Sequence, residues 1–98
     1  MPQSFYKLRT MDELRQYVHE TLCQVEQLAS DAFGMSEQLL LRDGRPCGVY
    51  FCLHGPRSVI LSAIWETDRN TILFYGGNGE RFTKTRLVEA PCLELAVA

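Results

Sequence analysis

Nothing in this 98-residue chain approaches the ~20 consecutive apolar residues that a membrane-spanning helix requires. Its longest apolar stretches are broken at Cys47-Gly48, at Gly55-Pro56 and at Ser62. Charge of one sign is lacking as well. Ten Lys and Arg stand against twelve Asp and Glu, a formal charge of −2. A dedicated binder of nucleic acid or of an anionic membrane needs clustered positive charge, so neither partner is expected. Glycine and proline are sparse, at 7 and 4 residues, which excludes a collagenous or low-complexity chain. Hydrophobic residues reach 46% against 22% charged, a balance that supports a packed core rather than disorder. The length allows one domain, 1–98, and no second core. Residues Met1 to Lys7 contain no apolar run of the signal-peptide kind, so a cytoplasmic chain is expected. Its cysteines, Cys23, Cys47, Cys52 and Cys92, are then expected to be free thiols.

What is present reads as one helix followed by strands. Thr10-Met11-Asp12-Glu13 forms a capping box, and two acids in the first turn suit the positive end of the helix dipole. Leu14, Val18, Leu22, Val25, Leu28, Ala29, Ala32 and Phe33 then recur at three- and four-residue spacing, with Gly34 as the stop. This predicts a helix over 11–33. From residue 37 the period falls to two and turn signals recur. Asp43-Gly44 is a strong hairpin signal. His54–Arg57, Thr67–Asn70 and Gly76–Gly79 supply three further turns. Strands are expected at about 38–42, 45–53, 58–66, 71–75 and 80–87, with a short apolar tail over 88–98. The expected fold class is α+β: one long N-terminal helix packed on a five-stranded antiparallel meander sheet.

Loop lengths predict which side chains share a face of the sheet. A two-residue loop at Asp43-Gly44 sets Arg42 against Arg45, Leu41 against Pro46 and Leu40 against Cys47. Four-residue loops elsewhere set Leu53 against Ser58, Glu66 against Thr71 and Tyr75 against Glu80. One face then gathers Leu39, Leu41, Tyr50, Cys52, Val59, Leu61, Ala63, Trp65, Ile72 and Phe74. The other gathers Leu40, Val49, Phe51, Leu53, Ile60, Ile64, Leu73, Tyr75 and Phe82. Both faces are rich in large apolar side chains, and one helix can cover only one of them. The face with Trp65 and Phe74 is expected to meet the helix. An apolar face left bare usually marks an interface or a ligand groove.

The residues with chemical potential do not converge. His19 and Cys23 have the i, i+4 spacing of two metal ligands, but no Cys-x-x-Cys accompanies them. Cys52 and His54 lie two residues apart, too far along a strand for a direct bond. Gly76-Gly77-Asn78-Gly79 precedes a strand-like segment rather than the helix that a phosphate loop requires. Arg81, Lys84 and Arg86 are split between faces by simple alternation. No metal, cofactor or catalytic residue is therefore expected. The expected function is that of a small, non-enzymatic interaction module, a homodimer or the binder of a protein partner through the bare sheet face. Phe51, Ile60, Ile64 and Tyr75 would form its apolar centre, with His54 and Arg57 at a polar rim. The alternative is a sensor or enzyme that uses the same face as a pocket for a small molecule.

Overall fold

The computed structural model describes residues 3–25, 34–56 and 59–91. The strand β1 (Gln3–Lys7) leads into the helix α1 (Met11–Val25). Five more strands follow: β2 (Met35–Arg42), β3 (Arg45–His54), β4 (Ile60–Glu66), β5 (Thr71–Tyr75) and β6 (Arg81–Glu89). They form one sheet in the order β1-β6-β5-β4-β3-β2. The meander from β2 to β6 is antiparallel throughout, as its short connections require. β1 was not anticipated. It adds a sixth strand, parallel to β6, with Ser4 opposite Thr85 and Tyr6 opposite Leu87.

The Thr10 hydroxyl accepts from the Glu13 amide at 3.1 Å, and the Thr10 carbonyl accepts from the Leu14 amide, so the helix starts where its cap predicts. Leu14, Val18, Leu22 and Cys23 form its buried stripe. The predicted continuation over 26–33 lies outside the described residues. The stripe meets Val49, Phe51, Leu53, Leu61, Ala63, Trp65, Ile72, Phe74 and Leu87 of the sheet. Two further contacts tie the helix down. The Tyr17 hydroxyl lies 2.6 Å from that of the buried Thr85, and the Tyr17 ring stands edge-on to Phe74 at 6.0 Å. The face carrying Trp65 and Phe74 is indeed the one beneath the helix.

Three strand pairings depart from the predicted register, one of them beyond a turn that forms as predicted. Asp43 and Gly44 both take positive φ, 53° and 77°, and close a two-residue hairpin with Arg42 opposite Arg45 and Leu41 opposite Pro46. Leu40 then faces Gly48 instead of Cys47, so Cys47 is the extra residue of a β-bulge. Its carbonyl accepts from both the amide and the hydroxyl of Thr67, which explains where the extra residue's oxygen goes. Between β3 and β4 the last pair is His54 with Ile60, which leaves a five-residue loop in place of the predicted four. A Gly55 amide to Val59 carbonyl bond of 2.8 Å closes this loop. Leu53 consequently pairs with Leu61, not Ser58. In β6 the pair Tyr75–Arg81 is followed by Phe74–Thr83, making Phe82 a second bulge residue. Phe82 turns toward the core, its ring 6.1 Å from that of Phe74. Glu66 faces Thr71 as predicted.

Candidate interaction face

Each of these one-residue changes reverses side-chain parity, so they redistribute the two faces. Phe51, expected at the centre of the bare face, is 0% exposed and packs under the helix with Val49 and Leu53. The five-residue loop is the cause, since it moves Phe51 opposite Ala63. By the same shift Tyr50 and Cys52 join Ile64 and Ser62 on the far side. Ile60, Ile64, Tyr75 and His54 do lie on the face away from the helix. Arg57 lies outside the described residues.

The uncovered face is an ordered grid. One register row runs Gln38, Tyr50, Ile64, Leu73, Lys84 across β2 to β6. On one side of it lies the row Ser36, Cys52, Ser62, Tyr75. On the other lies Leu40, Gly48, Glu66, Thr71, Arg86. The middle row sets three large apolar side chains side by side, all half-buried by one another without belonging to the core. Ile60, at 49% exposure, extends the patch toward the β3–β4 loop, where His54 sits exposed with its Nε2 3.3 Å from the Ser36 hydroxyl. Lys84 and Arg86 flank the grid on the β6 side. Glu66 is its single acid. With Arg81 opposite Tyr75, a chain that is acidic as a whole thus presents three cations against one anion here.

The thiols and histidines of the described residues do not gather into one cluster. The Cys52 thiol lies 3.7 Å from the Tyr50 hydroxyl, and the hydrogen bond between them, with desolvation, raises the phenol pKa above its usual value against the opposing effect of Ser62. Cys52 and His54 therefore turn to different partners. Cys23 lies 3.9 Å from Nδ1 of His19, and burial pushes its thiol pKa up, the reverse of what a nucleophile needs. Among the described residues no three His, Cys, Asp or Glu side chains converge as metal ligands. Cys23, Cys47 and Cys52 are free thiols.

Several clefts open on the surface of the described residues. One of about 540 Å³ lies at the β2–β3 hairpin between Arg42, Arg45, Cys47 and Asp68. A second, about 390 Å³, adjoins it and reaches Leu40, Ile64 and Glu66 on the uncovered face. The third, about 480 Å³, lies between Val25, Val59 and the Gly76–Phe82 turn. Neither His54, which is exposed, nor Tyr75, which is half-buried, lines any of these three. No helix among the described residues is long and apolar enough to cross a membrane. Comparisons with protein-family models, curated proteins and solved structures return no match.

Proposed function

We propose that this chain is a non-enzymatic interaction module whose uncovered sheet face receives a protein surface that is apolar at its centre and acidic along one side. The observation that carries this reading is the row Tyr50, Ile64, Leu73, three apolar side chains abreast on a face that no described helix crosses. A sheet face exposed only to water would alternate toward polar residues here, as the core face alternates toward apolar ones. Lys84 beside Leu73 and Arg86 beside Thr71 set the complementary charge of the partner. Tyr50 and Tyr75 supply large contact area with few rotamers to freeze, the character of an interface anchor.

The test replaces Ile64 with Lys and, separately, Lys84 and Arg86 together with Glu. A photo-crosslinking residue at position 73 should give one discrete protein adduct, lost in both variants, while each variant keeps the wild-type circular dichroism. A Phe51→Lys control should unfold, because that side chain is core. If Ile64→Lys unfolds the chain as Phe51→Lys does, or if the adduct survives both changes, the face is not an interaction surface.

A further inference from the structure

The second exposed apolar feature lies at the edge of the sheet. β2 ends the strand order, so one side of its backbone has no neighbouring strand among the described residues. The His54 amide donates to the Gly34 carbonyl, which makes Gly34–His54 a hydrogen-bonded pair. Antiparallel pairs alternate, so Ser36, Gln38 and Leu40 also bond inward to β3. The N–H and C=O of Glu37, Leu39 and Leu41 point outward, away from the sheet. Natural edges are guarded by charge, proline or bulges. Here the two flanking charges are already engaged. Arg15 holds Glu37 at 2.6 Å and Asp68 holds Arg42 at 2.9 Å. Between them Gln38-Leu39-Leu40-Leu41 carries no charge, with Leu39 37% and Leu41 59% exposed. The bulge at Cys47 is on β3, so no extra residue interrupts β2.

We propose that this edge joins a second copy of the chain, β2 to β2 and antiparallel, about a twofold axis through Leu40. The strand is complementary to itself in that register. Leu39 and the second copy's Leu41 become a hydrogen-bonded pair, and the symmetric pair forms with them, so the outward groups of both residues are satisfied. On the helix side each exposed Leu39 lies beside a Leu41. On the opposite side the two Leu40 side chains meet, and Gln38 lies beside the second copy's Arg42. Within the five paired residues 38–42 no cation faces a cation and no acid an acid; Glu37, held by Arg15, and the turn residue Asp43 of the second copy lie just beyond, and the contact closes on itself rather than propagating. A twelve-stranded sheet results, in which the two uncovered faces become continuous. The edge uses residues separate from the Tyr50–Ile64–Leu73 row, so it stands independently of the function proposed for that row.

Sedimentation of the reduced full-length chain at high micromolar concentration tests it. The expected species has twice the 11.2 kDa chain mass. Leu39→Pro removes an outward N–H that β3 does not use, and Leu41→Lys sets like charges around the axis. Both should run as monomers with unchanged circular dichroism and melting, whereas Ile64→Lys should stay dimeric. Should Leu39→Pro fail to fold, Leu41→Lys decides. A wild-type chain that is monomeric throughout overturns the proposal, as does a dimer that survives Leu41→Lys. Dispersal by Ile64→Lys alone would show instead that the copies meet face to face.

Discussion

Gly48 shows how far one side chain can matter in a sheet this thin. A Cβ built there would run into the carbonyl oxygen of Trp65 on the neighbouring strand, and that atom is backbone and cannot swing aside. The position is also buried, directly after the bulge residue Cys47. Gly48→Ala should therefore force β3 and β4 apart and destabilise the fold by about 1–3 kcal/mol, the range for overpacking a well-filled interior. Chemical denaturation measures it. A neutral result would mean that the bulge can move to absorb the methyl group. Trp65 carries the opposite signature. It is fully buried and its indole N–H has no partner among the described residues, a cost of roughly 1–3 kcal/mol that its large apolar contact area must offset.

At the scale of elements, the helix start is the most exposed to a simple test. Its first turn is held by Thr10, and Thr10→Ala should cost about 1 kcal/mol. For a domain of this size that lowers the melting temperature by roughly 4–8 °C, which calorimetry reads directly. A shift much below this would assign the helix start to the packing of Leu14 instead of the cap. This element was legible beforehand because all its signals are local: Thr10, two acids, then Leu14, Val18 and Leu22 at helical spacing. The strands and turns were legible for the same reason, Asp43-Gly44 above all. The faces were not. Side-chain direction has a period of two, so the extra residue Cys47 and the five-residue loop after His54 each reverse everything beyond them. Phe51 changed from candidate anchor to core through that single reversal, while Ile60 and Ile64, on the next strand, kept their side. β1 was illegible for a different reason. Its partner lies some eighty residues away in sequence, and a parallel pairing of that range leaves no turn to announce it.

For the whole molecule, the two ends of the sheet are unequal. Beyond β6 the chain supplies β1, and the Leu8 amide and the Arg9 side chain both close onto Glu89, at 2.9 Å and 3.3 Å. Beyond β2 nothing among the described residues plays that part, although β2 is the longer strand, with eight residues against five. The asymmetry makes hydrogen exchange a sensitive probe of edge pairing. In the dilute monomer the amides of Gln38 and Leu40, bonded inward, should be protected, while those of Leu39 and Leu41 exchange freely. As concentration rises, protection should appear at Leu39 and Leu41 with no change at Ile64 or Leu73, because edge pairing engages backbone and leaves the open face bare. Protection that instead grows uniformly along β2 would point to general tightening of the fold, and unprotected odd-numbered amides at all concentrations would leave the edge unpaired. The distinction matters for function: a dimer joined at its edges offers a partner two Tyr50–Ile64–Leu73 rows on one surface, and bivalent engagement of such rows raises apparent affinity without adding any contact to either.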